Sequence, residues 1–148
     1  MILIEKAKRG HLKDFLRLQK EFFKIYKDLS NYKIRYSKKQ TYNEFKSRFG
    51  KDKFFYFVKY DKSIIGYTYG HIERNSYGDF AYIDDIFISK DYQGKGISTL
   101  LKNKILSNFK KNKINYCRID VNLNNSRAIN VYKHWGFKID KFRMNLKI

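Results

Sequence analysis

Apolar and polar positions along the chain follow two rhythms, one of period two and one of period between three and four. Residues 1–7 form a short apolar run closed by the polar turn Lys8-Arg9-Gly10, the pattern of a first strand. Leu12, Phe15, Leu16, Gln19, Phe22, Phe23 and Tyr26 then recur at helical spacing, which predicts a helix over about residues 11–28. A polar, tyrosine-rich stretch, residues 30–39, leads to a second helix signalled by the capping box Thr41-x-x-Glu44, with Tyr42, Phe45 and Phe49 inward and Gly50 as its stop. Residues 54–60 and 63–74 read as the arms of a hairpin turning at Asp61-Lys62, and a turn at 75–79 precedes a strand at 82–88. Beyond it Ile97, Leu100, Leu101, Ile105 and Phe109 mark a helix over 97–111. A strand at 116–121, a loop at 122–125, a helix at 126–134 and two short strands at 137–140 and 142–148 complete the pattern.

With 148 residues and no repeat, linker or low-complexity block, residues 1–148 read as one mixed α/β domain. Hydrophobic residues make up 43%, enough to bury a core and to exclude a disordered tail. No apolar run is long enough to span a bilayer, and Met1-Ile2-Leu3-Ile4-Glu5 is too short for the hydrophobic region of a signal peptide, so a cytoplasmic protein without a membrane partner is expected. The lone Cys117 sits in a strand pattern and fits a buried small residue in a reducing compartment. Charge is the outlying quantity: 33 Lys+Arg against 14 Asp+Glu give +19. Such a field attracts polyanions without specificity and speeds the approach of small anions. The lysines are spread along the whole chain, which favours a solvated surface over a nucleic-acid or ribosome interface.

Candidate chemistry begins at residues 91–101, where a strand, a glycine turn and a helix start follow one another. Gly94 and Gly96 permit tight, left-handed geometry and leave the backbone amides open to a ligand. The first amides of the following helix have no intrahelical acceptor and lie at the positive end of its dipole, so an anion such as phosphate is the natural partner. A P-loop requires a Gly-Lys-Ser/Thr spacing that is absent. A dinucleotide fingerprint fails at Thr99 and lacks the doubled α/β unit.

What remains, Gln93-x-x-Gly96-x-Ser98 after the strand Ile83-Asp84-Asp85-Ile86-Phe87-Ile88, resembles the acetyl-CoA signature of the GNAT N-acetyltransferases, Gln/Arg-x-x-Gly-x-Gly/Ala. Ser98 stands where Gly or Ala is usual, which implies slightly rearranged phosphate binding. A second patch, Asn125-x-x-Ala128-x-x-x-Tyr132 followed by Trp135-Gly136-Phe137, is similar to the same family's Asn-x-x-Ala-x-x-x-Tyr and Gly-Phe. The likeness covers residues 54–148 well and the first third only in outline.

The resemblance implies a central, mostly antiparallel sheet of six to seven strands with a splayed parallel pair and helices on both faces. It also implies acetyl-CoA as cosubstrate and no metal. The backbone at Ile86, Phe87 and Ile88 would take the pantetheine arm, and the amides of Gln93, Gly94, Lys95, Gly96, Ile97 and Ser98 the pyrophosphate. Asn125 would fasten the arm and Ala128 leave it room, while Tyr132 would protonate the departing thiolate unless it is only a core aromatic. Alternation sends Asp84 and Asp85 to opposite faces unless a bulge intervenes. The segment is similar to that of polyamine acetyltransferases, where a Glu-Asp pair occupies these positions, which makes Asp84 the base or ammonium anchor and Glu73 the reserve; a structural ion pair is the competing role for Asp84. Tyr26, Tyr32, Tyr36 and Tyr42 fall in the region that overhangs the family's acceptor site. His11, His71 and His134 have no ligand spacing for a metal.

The expected activity is direct transfer of acetyl from acetyl-CoA to a primary amine: a polyamine, a protein N-terminus or lysine, or an aminoglycoside-like amine. The alternative is a basic RNA- or ribosome-binding module on the same fold without catalysis. The terminal strands offer an edge through which a homodimer could form.

Overall fold

Four strands from the first 88 residues of the chain set the frame. In the computed structural model, which describes residues 1–29, 34–50 and 53–148, β1 (Ile2–Lys6), β2 (Lys53–Tyr60), β3 (Ser63–Asn75) and β4 (Gly78–Ile88) pair antiparallel in that order. β5 (Cys117–Ile119) then joins β4 in parallel. A parallel neighbour needs a crossover, and α3 (Ile97–Lys111) supplies it. α1 (Leu12–Tyr26) and α2 (Lys38–Ser47) cover the opposite face, and α4 (Ser126–His134) follows β5. The result is the expected mixed α/β architecture, with helices on both faces and one parallel pair at the end of an antiparallel sheet. No helix among the described residues is long and apolar enough to cross a membrane.

Strand alternation divides the core in two. Phe55, Phe57, Tyr67, Tyr69 and Phe87 meet Phe15, Leu18 and Phe45 of α1 and α2. Tyr56, Val58, Ile65, Ala81 and Ile83 meet Ile97, Leu101, Ile105 and Phe109 of α3. The first of these layers is built largely of rings: Phe15 lies edge-on to Tyr67 at 5.1 Å and to Phe55 at 5.4 Å between centroids. Edge-to-face pairs of this kind add about 1 kcal/mol each beyond area burial. On the other face α3 comes close to β3 at Gly70, where a Cβ would stand 2.0 Å from the Tyr82 carbonyl oxygen and 3.1 Å from the Phe109 ring.

Two irregularities in the sheet position the site. Tyr69 pairs with Asp85 and Gly70 with Ile83, so Asp84 is an extra residue on β4 and makes a bulge. β5 pairs only with Ala81, Tyr82 and Ile83, and the two parallel strands part company where the bulge begins. Residues of β4 beyond the bulge therefore have no ladder partner on the β5 side.

Several expectations need correction. The sheet has five strands among the described residues, because residues 137–148 run on without joining it. A strand pattern supplies the capacity to pair but not a partner, and β5 offers only three residues on its side. α2 starts before the supposed capping box: its N-cap is Ser37, whose Oγ accepts from the Gln40 amide at 3.3 Å. Thr41 is buried inside that helix and donates to the Ser37 carbonyl at 2.8 Å.

Candidate active site

The turn after β4 is fixed from three sides. Glu21 of α1 accepts from the Ser89 hydroxyl at 2.9 Å and from the Lys90 amide at 2.8 Å, tying the helix layer to the strand end. A single 3-10 turn, Lys90–Tyr92, follows. Gln93 folds back, its Nε2 donating to the Ile88 carbonyl at 2.7 Å, while its Oε1 accepts from Arg127 of α4 at 3.0 Å. Gly94 and Gly96 then take φ of 75° and 76°, left-handed values that other residues reach only under strain. Gly96 is the N-cap of α3 and has no side chain with which to satisfy the first amides of the helix. A Cβ at either glycine would meet nothing within 4 Å, so the space in front of these amides is open. Open, uncapped amides at the positive end of a 15-residue helix suit the diphosphate of a nucleotide cosubstrate.

One cleft of about 480 Å³ gathers nearly all of the expected cosubstrate residues. Ile86, Phe87 and Ile88 form its β4 wall, Gln93, Gly94, Gly96, Ile97 and Ser98 its end, and Asn125, Ala128 and Tyr132 its α4 wall. Lys95 lies beside it in a smaller pocket, with its ammonium 5.4 Å from the Tyr92 ring centroid. Asn125 has a local duty as well, since its Oδ1 caps α4 by accepting from the Ala128 amide at 3.1 Å. Sequence reasoning missed Arg127 and Trp135 as lining residues. Of the four tyrosines expected near the acceptor site, Tyr26 lines the cleft, Tyr36 packs on Phe23, Tyr42 is exposed beneath Lys46, and Tyr32 lies outside the described residues.

Tyr132 is half-buried against Trp135 and Phe137, and its hydroxyl makes no hydrogen bond to a described residue. Burial, with Asp85 and Tyr26 adding to it, raises its pKa far above that of an ordinary phenol, so the group keeps its proton.

The bulge brings two carboxylates to the face covered by α1 and α2. Asp84 stands outside the cleft lining and is held in charge-assisted bonds: its Oδ2 lies 2.6 Å from Arg48 Nη1 and 2.7 Å from His71 Nδ1. Arg48 also pairs with Glu44 and lies over the Tyr69 ring at 4.2 Å, and the His71 ring stacks on Tyr82 at 5.1 Å. Asp85 instead takes hydrogen bonds from the Tyr67 hydroxyl at 2.8 Å and from Gln19 Nε2 at 3.1 Å. Burial pushes its carboxyl up to about 6 against the pull of those two donors. Glu73, opposite Phe80 on β3, is exposed. Cys117 lies in β5, and burial pushes its thiol up to about 12.

Comparison with known proteins gives the same outline. The Acetyltransferase (GNAT) family model matches residues 13–137. An uncharacterized N-acetyltransferase of Methanocaldococcus jannaschii is 30% identical over 144 residues, which cover 91% of this chain and 60% of that one, so the chain spans about three fifths of its relative's length. Among solved structures, a Bacillus halodurans protein superposes with a TM-score of 0.83 at 19% identity, covering 99% of both chains. AAC(6')-Iy, in complex with the bisubstrate analog CoA-S-monomethyl-acetylneamine, gives 0.80 at 13% identity over 100% of this chain and 98% of that one.

Proposed function

The chain belongs to the GNAT family of acetyltransferases, and on that footing we propose that it moves acetyl from acetyl-CoA to a primary amine by direct attack in a ternary complex. One juxtaposition carries the reading: the open amides of the Gly94 to Gly96 turn and the Tyr132 phenol line the same cleft, where β4 has lost its parallel neighbour.

Acetyl-CoA supplies an acetyl group activated as a thioester. The residues of this chain do the rest. Amides from Gln93 to Ser98, with Lys95 alongside, hold the diphosphate, and the unpaired main chain of Ile86, Phe87 and Ile88 takes the amides of the pantetheine arm. Ala128 leaves the arm room, and Asn125 offers it the amide nitrogen not used in capping α4. Tyr132, protonated because it is buried, delivers its proton to the departing sulfur. The attacking amine must first lose a proton. Asp84 serves that loss through His71: it holds the ring by Nδ1 at 2.7 Å, which leaves Nε2 free to accept. Arg48 and Glu44 keep the carboxylate in place from α2.

The deciding experiment titrates acetyl-CoA by calorimetry and screens acceptors by thiol release. Saturable uptake is expected, with turnover on at least one of polyamines, peptide amines or aminoglycoside-like amines. No uptake of acetyl-CoA, or salt-dependent RNA binding without thiol release, would overturn the reading.

A further inference from the structure

Tyr82 belongs to a row that crosses four strands on one face of the sheet. Lys53 of β2 pairs with His71 of β3, His71 with Tyr82 of β4, and Tyr82 with Arg118 of β5. Directly opposed residues share a face, so the row reads cation, imidazole, phenol, guanidinium. α1 and α2 pack on this face further along, over Tyr69 and Phe87, and none of the four residues belongs to either core layer. The row adjoins the cleft, since Tyr82 precedes the bulge at Asp84 and Ile86 of the cleft wall follows it.

Arg118 is a member of that row without a counter-charge. Its guanidinium carbon lies 3.8 Å from the Phe80 ring centroid and 5.8 Å from that of Tyr82, and its Nη1 donates to the Tyr82 hydroxyl at 2.9 Å. No described carboxylate pairs with it. The carboxylates nearby are engaged elsewhere, Asp84 with Arg48 and His71, Asp79 with Arg74 and Asp120 with Arg143, while Glu73 stands exposed one row further out, opposite Phe80. A half-buried guanidinium held against a ring, with donors to spare, is a preformed receptor for a carboxylate or a phosphate. The charge of +19 points the same way, because it draws anions in and holds polycations off.

Building on the transferase reading, we propose that the acceptor is a primary amine that also carries an anionic group, a carboxylate or a phosphate. The anion docks on Arg118, the body of the molecule lies over Tyr82, and the amine reaches His71. His71 and Arg118 stand two strands apart, about 10 Å between backbones, and a hydrogen bond at each end leaves a gap that a dipeptide unit or a single sugar ring bridges. Polyamines and aminoglycosides carry only cations and lack the second group.

The test compares, by thiol release, acceptors that differ only in the anion: the peptide amide Ala-Asp-Ala against Ala-Asn-Ala, and glucosamine 6-phosphate against glucosamine, with spermidine as the cationic reference. In at least one pair the anionic member should exceed its neutral partner, and spermidine, by about tenfold or more in kcat/KM, chiefly through KM. Which pair responds tells carboxylate from phosphate. In Arg118→Gln that ratio should fall toward one, with uptake of acetyl-CoA by calorimetry reporting that the variant is folded. Arg118→Lys, which keeps the charge and loses the fork, should fall in between, and it decides alone if the glutamine variant does not fold. The +19 field barely changes in Arg118→Gln, so an anion preference that survives the substitution belongs to the field and overturns the proposal. A ratio near or below one, faster turnover of spermidine, or no turnover of either anionic acceptor despite uptake of acetyl-CoA overturns it as well, and leaves the transferase reading standing. Failure to take up acetyl-CoA removes both.

Discussion

Asp84 and Asp85 are adjacent in sequence and yet project from the same face of the sheet, Asp84 toward Arg48 and His71 and Asp85 toward Tyr67 and Gln19. The extra residue at the bulge undoes the alternation that would have separated them. They are held by different partners: Asp84 sits between a guanidinium and an imidazole, and Asp85 accepts from the Tyr67 hydroxyl and Gln19 in the aromatic layer.

Asp84 and His71 act as a unit in the proposed deprotonation, so Asp84→Asn and His71→Gln should produce similar defects. Each should lower kcat/KM for the acceptor by about tenfold or more and change the shape of its pH profile. Acetyl-CoA affinity should hold. An unaltered profile in both variants would return the task to Glu73 or to solvent.

Tyr132→Phe removes one oxygen from a wall of the cleft and leaves the ring packing against Trp135 and Phe137 intact. Turnover should drop by about a hundredfold, in the range of a lost general acid, with calorimetric affinity for acetyl-CoA nearly unchanged. Equal turnover would remove the phenol from the chemistry.

Asp85 has a folded-state pKa raised from 3.8 to about 6, so the folded state retains a proton there that the unfolded chain has already released. Stability falls as pH rises from about 4 to about 6, and the penalty is complete above that window; the shift corresponds to roughly 2 to 3 kcal/mol. Asp85→Asn can still accept from Tyr67 and Gln19, and it should be more stable than the native protein at pH 7 and lose that advantage near pH 4. Urea melts at both pH values will show whether it does.

Gly96→Ala places a methyl group in open space at a left-handed φ of 76°. The strain costs about 1 kcal/mol, a shift of a few degrees in Tm. The larger effect should be on the ligand, since the methyl enters the region in front of the α3 amides. Acetyl-CoA should bind at least tenfold more weakly, and a comparable loss at Gly10→Ala, where added bulk also meets nothing, would argue against a local effect.

What could be read from the sequence was spelled locally. Gln93 to Ser98 and Asn125 to Tyr132 each lie within about two turns of chain, so spacing alone placed them on one turn and one helix, and the structure brings both to a single cleft. The relation between Asp84 and Asp85 was not legible, because a bulge is a mismatch of register with β3 and leaves no mark on β4 itself. The hold of Arg48 on Asp84 joins residues 36 apart and depends on where α2 ends. Thr41 misled for a related reason: the capping pattern is real as spelling, but the helix begins one turn earlier, at a serine that serves the purpose. For residues 142–148 the alternation was legible, yet the segment joins no ladder, because alternation marks a capacity to pair and not a partner.

Trp135, the sole tryptophan of the chain, stands on the cleft wall with its indole nitrogen 3.2 Å from Thr99 Oγ1 and the Lys102 ammonium 5.5 Å from its ring centroid. A molecule entering between the splayed strands changes the polarity around that indole. The protein thus contains its own fluorescent gauge of occupancy, and intrinsic emission can follow donor arrival in real time without any attached dye.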